Sequence, residues 1–294
     1  MKIRIATRRS ALALAQTRMI AADLRAKWPG LETEEVQIVT EGDRVQDRSL
    51  SAIGGKGLFI KELETALLDG RADLAVHSMK DLPADVAEGL VIAAVPPRES
   101  PWDLLLTRDG RAIDALPHGA RLGTSSLRRR VQIHAARPDL TIEMLRGNID
   151  TRLRKLQEGQ FDAIVLAEAG VRRLQLDVEA VRLDAIVVPS IAQGALALET
   201  RGDDRATRDA VRALNDPSSE TRSLAERAVL RAIQGSCTTP VGAIATLEGD
   251  EIALHGFLAT ADGARHVKTR FRGPADQPVR AGEALAAALL SALG

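Results

Sequence analysis

Two kinds of apolar spacing alternate along the first half of the chain. Short apolar runs and period-two alternation predict strands, whereas apolar residues three or four positions apart predict helices. The strands predicted in the first series are 2–6, 36–39, 74–77 and 90–95. The helices predicted between them are 10–27, which Ser10 would cap, and 58–68. Alternation of this kind favours parallel or mixed sheets covered by helices.

Two adjacent prolines, Pro96 and Pro97, interrupt the pattern, and a second alternating series follows them. Its predicted strands are 103–107, 141–145, 163–166 and 185–188. Its predicted helices begin at Ser126 and Ile149, and Pro189 closes the series. We therefore expect a second α/β domain over residues 100–189.

The pattern changes again after Pro217. A helix is predicted at 218–233, followed by three strand-like runs that Gly-Asp and Asp-Gly turns separate. The three runs are 242–247, 251–259 and 266–272, and an Ala- and Leu-rich helix follows at about 279–293. Residues 217–294 are therefore expected to form a small α+β domain with a three-stranded antiparallel sheet.

Charge and aromatic content exclude several classes of protein. The 40 Lys and Arg residues balance the 40 Asp and Glu residues, so no net field attracts nucleic acid or an anionic membrane. With four Phe, two Trp and no Tyr among 294 residues, the chain offers few faces on which bases could stack. We expect neither a nucleic-acid partner nor a membrane partner.

Several common motifs and segments are absent from the sequence. It contains no H-E-x-x-H and no G-x-G-x-x-G after a strand, and residues 54–57 (Gly-Gly-Lys-Gly) do not fit a P-loop. The uncharged stretches 185–198 and 232–247 are too short and too polar to span a bilayer. We expect no bound metal, and a cytoplasmic location.

The single cysteine, Cys237, excludes a disulfide within the chain and a Cys-rich zinc site. It lies in a loop between Gly235 and Pro240, and this placement favours an accessible thiol. The alternative is a small buried apolar residue, which is the usual role of a free cysteine.

Arginine clusters occur where predicted strands turn into predicted helices. Residues 123–130 read Gly-Thr-Ser-Ser-Leu-Arg-Arg-Arg, residues 146–152 begin Arg-Gly-Asn and end Thr-Arg, and Arg8 and Arg9 follow the first strand. Cations at a helix N-terminus oppose the helix dipole, but arginine side chains beside free N–H groups suit carboxylates or phosphates. Solvated surface arginines are the alternative for any one cluster. Three clusters at corresponding turns favour an anion site at the carboxyl ends of the strands.

Residues 77–81, His-Ser-Met-Lys-Asp, end a predicted buried strand. The carboxylate of Asp81 could stabilise a developing cation or move a proton. A solvated pair between Lys80 and Asp81 is the alternative. His77, Ser78 and Asp81 are too close in sequence for an ordinary hydrolase triad.

Together these segments resemble the porphobilinogen deaminase, or hydroxymethylbilane synthase, family. The matching segments are 4–8, 54–59, 75–81, 123–129, 145–148, 151–153, 193–195 and the loop of Cys237. The resemblance implies a transferase that condenses four porphobilinogens head to tail, loses ammonia at each addition and releases hydroxymethylbilane by hydrolysis. It also implies a covalent dipyrromethane cofactor, joined to Cys237 through a thioether.

The resemblance assigns roles to individual residues. Every pyrrole carries an acetate and a propionate, so several guanidinium groups suit the growing chain. Asp81 is implied to be catalytic and to contact the cofactor, because its carboxylate would accept pyrrole N–H groups and offset the cation left by loss of ammonia. The residues implied to hold cofactor carboxylates are Lys80, Ser126, Arg128 and Arg129. Those implied to hold the incoming pyrrole are Arg8, Ser10, Arg146, Arg152 and Arg173.

The resemblance also implies the architecture. Two lobes with mixed sheets, similar to those of periplasmic binding proteins, would precede the small C-terminal domain that carries Cys237. The first lobe would comprise residues 1–96 and 195–213, and the second would comprise residues 100–189. The loop 41–57 would cover the active site.

We expect a monomer that passes its product to uroporphyrinogen-III synthase. The alternative function is a non-enzymatic, small-anion binder of the periplasmic-binding-protein type. Such a binder would have the unmodified mass of its sequence, whereas the enzyme would carry a covalent pyrrole.

Overall fold

The computed structural model describes residues 1–38, 60–235 and 239–294, which form three sheets flanked by helices. The loop 41–57 and Cys237 lie outside the described residues. The strands are β1 (Lys2–Thr7), β2 (Glu32–Gln37), β3 (Leu74–Ser78), β4 (Leu90–Ala94), β5 (Asp103–Thr107), β6 (Arg121–Gly123), β7 (Thr141–Glu143), β8 (Ala163–Ala167), β9 (Ala180–Arg182), β10 (Leu196–Arg201), β11 (Val241–Glu248), β12 (Glu251–Ala259) and β13 (His266–Pro274). The helices are α1 (Ala11–Lys27), α2 (Lys61–Leu68), α3 (Leu127–Ala136), α4 (Ile149–Gln157), α5 (Glu168–Arg173), α6 (Arg205–Arg212), α7 (Pro217–Ala232) and α8 (Pro278–Leu293).

The first two sheets are mixed, and each has five strands. The first has the order β2-β1-β3-β10-β4, with β10 antiparallel to both neighbours. The second has the order β7-β6-β8-β5-β9, with β5 antiparallel to both neighbours. The third sheet, β11-β12-β13, is antiparallel and packs against α7 and α8. The expected fold class, two α/β units and a small α+β unit, is therefore confirmed.

Serine caps begin two of the helices that border the site. The hydroxyl of Ser10 accepts the backbone N–H of Ala13 at 3.3 Å, and that of Ser126 accepts the N–H of Arg129 at 3.4 Å. These bonds satisfy helix donors that have no partner in the first turn. Both helix starts agree with the sequence prediction.

The predicted strand at 185–188 is wrong. The strand in this region is β9, and residues 184–186 form a turn. Val187 and Val188 are nevertheless buried, which explains their apolar pattern. The side-chain amide of Gln132 makes the two hydrogen bonds with Val188 that the backbone of a neighbouring strand would otherwise make. Its oxygen accepts the N–H of Val188 at 2.8 Å, and its nitrogen donates to the Val188 carbonyl at 3.2 Å.

The predicted strand at 36–39 is displaced, since β2 begins at Glu32 and ends at Gln37. Most residues of this edge strand are exposed, so its first half carries no apolar alternation that a sequence pattern could detect. The apolar pattern also did not identify β6, α5 and α6. Each of these elements is only three to eight residues long, which is too short to show a clear period.

Two segments, residues 95–102 and 183–195, connect the first and second sheets. Glu226 on α7 joins both segments to the third sheet. Its carboxylate accepts Arg98 Nη1 at 2.6 Å, the N–H of Ala192 at 2.7 Å and the N–H of Ala245 at 2.8 Å. A fully buried carboxylate with these donors fixes the relative positions of the connecting segments.

We expect Gly194→Ala to lower the free energy of unfolding by about 3 kcal/mol or more. Gly194 has φ +90°, and a Cβ there would overlap the carbonyl oxygen of Glu99 and lie 2.8 Å from that of Ser100. Gly70→Ala is the matched control, because Gly70 has φ +67° but a Cβ there would have no neighbour within 4 Å. Urea denaturation should give a loss of only about 1 kcal/mol for the control. Equal losses of unfolding free energy for the two variants would contradict the close approach of Gly194 to the carbonyl oxygens of Glu99 and Ser100.

Candidate active site

The carboxyl ends of parallel strands in the first two sheets border one cavity of about 220 Å³. The turn after β1 brings Arg8 and Ser10 to this larger cavity, and the turn after β3 brings Lys80. From the second sheet, the N-terminal turn of α4 brings Arg152, and α5, which follows β8, brings Arg173. Ligands of open α/β sheets bind at such strand ends.

Three cations in the wall of the larger cavity have only neutral acceptors among the described residues. Lys80 Nζ donates to Gln193 Oε1 at 3.2 Å, Arg152 Nε to the Gly147 carbonyl at 2.8 Å, and Arg173 Nη2 to the Gly194 carbonyl at 2.7 Å. Burial lowers the pKa of Lys80 to about 8, and it lowers the pKa of both Arg152 and Arg173 to about 10. Among the described residues, the hydrogen-bond acceptors of these three cations therefore carry no charge, which suits a ligand with several carboxylates.

Arg128 and Arg129 share one buried carboxylate, that of Asp103. Arg129 donates from Nε at 3.0 Å and from Nη2 at 2.6 Å to Oδ1, and Arg128 Nη1 donates to Oδ2 at 2.9 Å. Burial alone would raise the pKa of Asp103, but the two guanidinium groups outweigh it and hold that pKa well below its ordinary value. Arg129 borders the larger cavity, whereas Arg128 turns away and also donates to the Val188 carbonyl at 2.6 Å.

A smaller cavity of about 80 Å³ adjoins the larger one and shares Arg8, Ser10 and Ser78 with it. Asp81 lies on its wall and is exposed, so its carboxylate is accessible to a ligand that extends from the larger cavity. His77 lies on the same wall, and its Nε2 is 3.0 Å from Oε2 of the fully buried Glu199.

The structure gathers seven of the eleven residues predicted for the site around these two cavities. Arg8, Ser10, Lys80, Arg129, Arg152 and Arg173 line the larger one, and Asp81 lines the smaller one. Three others line neither: Ser126 caps α3, Arg128 is bonded to Asp103, and Arg146 Nε lies 3.1 Å from the sulfur of Met144. The eleventh, Cys237, lies outside the described residues.

Three polar residues of the site were not identified as such from the sequence. Gln193 and Gln16 line the larger cavity, and Asp103 anchors its two arginines. Asp103 carries a detectable signal, because it is the only charged residue of the buried strand β5, where three leucines follow it. Gln16 and Gln193 carry no comparable signal in the spacing of apolar residues.

Fold and cavity together define a two-lobed α/β protein whose cavity between the first two sheets suits a carboxylate-bearing ligand, followed by an α+β unit. The family profile "Porphobilinogen deaminase, dipyromethane cofactor binding domain" matches residues 3–209, and "Porphobilinogen deaminase, C-terminal domain" matches residues 221–291. The chain belongs to the porphobilinogen deaminase family.

Curated relatives extend over almost the whole chain. The porphobilinogen deaminase of Sorangium cellulosum is 53% identical over 266 residues, which cover 90% of this chain and 89% of the relative. That of Roseiflexus castenholzii is 50% identical over 293 residues, 99% of this chain and 96% of the relative. Among solved structures, the methionine binding protein MetQ matches 72% of this chain and 89% of its own, with 12% identity and a TM-score of 0.46.

The residues of the larger cavity fit the dipyrromethane cofactor that the family profile names. This group carries several carboxylates, and the cavity wall offers the ammonium of Lys80, whose acceptor among the described residues is neutral, and the guanidinium of Arg129. Among residues 1–38, 60–235 and 239–294, no group of three His, Cys, Asp or Glu side chains could hold a metal ion. Within the same ranges, no helix has the length and hydropathy needed to cross a membrane.

Lys80 should make the stability of the cofactor-free chain rise with pH. Its pKa is lowered from 10.5 to about 8 by burial, so between these values the unfolded chain binds the proton that the folded chain has lost. Between pH 7 and pH 10, we expect the unmodified chain to gain on the order of 2 kcal/mol in unfolding free energy relative to Lys80→Met. Urea denaturation at both pH values measures this gain. Lys27→Met, which removes an exposed lysine, is the control and should keep the full pH response. The same pH response in Lys80→Met as in the unmodified chain would contradict the lowered pKa of Lys80.

Proposed function

We propose that this chain condenses four molecules of porphobilinogen head to tail and releases hydroxymethylbilane. Family membership supports the reaction class. The observation that carries the proposal for this chain is a set of three cations, Lys80, Arg152 and Arg173, that line one cavity and whose hydrogen-bond acceptors among the described residues are all neutral. A substrate with an acetate and a propionate on every ring supplies carboxylates that these cations can bind.

The proposed cofactor is a dipyrromethane attached to Cys237 through a thioether, and it supplies the free pyrrole carbon on which the chain grows. Cys237 is the only cysteine of the sequence. Lys80 and Arg129 are proposed to hold cofactor carboxylates, and their places on the larger cavity support this role. Ser126 and Arg128 are proposed for the same role from the motif resemblance.

Binding of the incoming porphobilinogen is proposed for a second group of side chains. The positions of Arg8, Ser10, Arg152 and Arg173 on the cavity wall support this role. Arg146 is proposed for it from the motif resemblance. Arginine forks would fix the acetate and the propionate of one ring in a defined orientation, which brings the reacting carbon to the same place at each addition.

At each addition the carbon–nitrogen bond of the aminomethyl group breaks, ammonia leaves, and a cationic methylene–pyrrole remains. A new carbon–carbon bond to this methylene forms, and the attacked pyrrole carbon then loses its proton. Asp81 is proposed to accept the pyrrole N–H and to stabilise the cation by its charge. Its exposed position on the wall of the smaller cavity supports this role.

The proposed domains are 1–96 with 195–213, then 100–189, then 217–294. Sheet membership supports these boundaries, because β10 lies between β3 and β4 in the first sheet although it follows the whole second sheet in sequence. We also propose a cytoplasmic monomer whose product passes to uroporphyrinogen-III synthase.

Incubation of the purified chain with porphobilinogen tests the proposed reaction. We expect one linear tetrapyrrole and four ammonia molecules for every four porphobilinogens consumed. Binding of porphobilinogen without release of ammonia would overturn the enzymatic function and would favour an anion-binding protein.

A further inference from the structure

A single buried carboxylate, that of Asp103, accepts hydrogen bonds from two arginines of α3 and from Gln193. Asp103 is the first residue of β5 and directly follows the connecting segment 95–102, and its side chain is fully buried. It accepts Arg128 Nη1, Arg129 Nε and Nη2, and Gln193 Nε2, the last at 2.9 Å. Of the three residues that donate, Arg128 and Arg129 belong to α3, and Gln193 belongs to the connecting segment 183–195.

The first arm of this network runs from Asp103 to Arg129. Two nitrogens of Arg129 are bonded to Oδ1 of Asp103, and Nη1 donates to the Val165 carbonyl at 2.9 Å. The guanidinium plane is therefore fixed at three points while it borders the larger cavity. A fork held in this way loses little conformational freedom when it binds a carboxylate.

The second arm runs from Asp103 through Gln193 to Lys80. Gln193 Nε2 donates both to Asp103 Oδ1 and to the Pro101 carbonyl at 2.8 Å, and both partners are acceptors only. The amide must therefore present its oxygen to Lys80, whose Nζ lies 3.2 Å from Oε1. A neutral acceptor orients the ammonium without neutralising it, so Lys80 keeps its charge for a ligand.

We propose that Asp103 is the positioning residue of the cofactor site, because its carboxylate orients Arg129 directly and Lys80 through the amide of Gln193. The proposal rests on the proposed function, since the ligand is the carboxylate-bearing pyrrole cofactor. Asp103 itself does not line either cavity, so it acts through these two cations and not by contact. Lys80 follows β3 of the first sheet and Arg129 lies on α3, which follows β6 of the second sheet, so Asp103 links cations from both lobes.

Charge and position make opposite predictions for the variant Asp103→Asn. The substitution removes a negative charge beside Arg128, Arg129 and Lys80, so a purely electrostatic effect would tighten the binding of carboxylates. Loss of orientation would weaken it, because misplaced groups lose most of their effect on a bound ligand. The sign of the change therefore separates the two explanations.

The test is cofactor loading of the full chain, produced in cells that make no porphobilinogen. The chain is incubated with increasing porphobilinogen, and the covalent pyrrole adduct is measured by intact mass. We expect Asp103→Asn to need at least about tenfold more porphobilinogen for half-maximal loading. Unchanged or easier loading would overturn the proposal, and failure of the unmodified chain to load would instead overturn the proposed function.

Asp73→Asn is the matched control for loss of a buried, arginine-bonded carboxylate. Asp73 accepts Arg4 Nη2 at 2.7 Å and Arg201 Nη2 at 3.3 Å, but it precedes β3 and lines neither cavity. We expect this variant to unfold more easily and yet to load within about twofold of the unmodified chain. A loading defect equal to that of Asp103→Asn would mean that general destabilisation explains both, and would overturn the proposal.

A double-variant cycle with Lys80→Met separates positioning from a structural role. If Asp103 acts partly through Lys80, the effect of Asp103→Asn on loading should be at least about threefold smaller when Lys80 is already Met. Strictly additive effects of the two substitutions would overturn the claim that Asp103 acts through Lys80. If Asp103→Asn does not fold, Gln193→Met replaces it in the cycle, because it cuts the same arm and leaves the Asp103–arginine pairs in place. Additivity of Gln193→Met with Lys80→Met would overturn the arm equally.

Discussion

Asp81→Asn is expected to slow turnover by about 10²-fold or more. Asparagine keeps the size of the side chain but removes the charge that we propose to stabilise the cation left by loss of ammonia. Asp81 accepts the pyrrole N–H in both states, but its charge acts most strongly on the cation that develops in the transition state, so kcat should fall by a larger factor than KM changes. Steady-state porphobilinogen consumption by the cofactor-loaded chain measures both constants.

Asp85→Asn is the control for this prediction. Asp85 is a nearby carboxylate that pairs with Arg231 at 2.9 Å and lines neither cavity. It should keep the activity of the unmodified chain, because a single exposed ion pair contributes little. A kcat for Asp81→Asn within about threefold of the unmodified chain would contradict the proposed role of Asp81.

Cys237→Ser is expected to abolish covalent attachment of the cofactor. The variant should have the mass of its sequence alone, and it should unfold at a lower temperature because the stabilisation by bound ligand is lost. Ser236→Ala, at the adjacent position, is the control and should retain the adduct. An intact pyrrole adduct on Cys237→Ser would contradict the attachment site, whatever the activity of the variant.

The sequence identified those parts of the site that have a local signal. The sequence pointed to Arg8, Arg129 and Arg152 because they lie between the end of a strand and the first turns of a helix. Positive charge at a helix N-terminus opposes the helix dipole, so its presence there favours an anion-binding site. The cap of α1 by Ser10 and the start of α3 at Ser126 were predicted, because a helix start depends on residues only a few positions apart. Local spacing also located β5 and β12 to the residue.

Features that depend on distant residues could not be predicted from local pattern. Asp103 and Gln193 are 90 positions apart, and only the assembled connecting segments bring them together. No local pattern predicts that β10 lies between β3 and β4, and the family resemblance alone suggested that residues 195–213 return to the first lobe. Arg128 and Arg129 look equivalent in sequence, but the turn of α3 sends one to the Val188 carbonyl and the other to the cavity.

An intact mass and a tryptic peptide map of the purified chain test whether Cys237 carries the pyrrole cofactor. We expect two linked pyrroles on the peptide 232–265, which contains Cys237. Incubation of any unmodified fraction with porphobilinogen should convert it to the same adduct. A chain that keeps the mass of its sequence after this incubation, or an adduct on any other peptide, would contradict covalent attachment of the cofactor to Cys237.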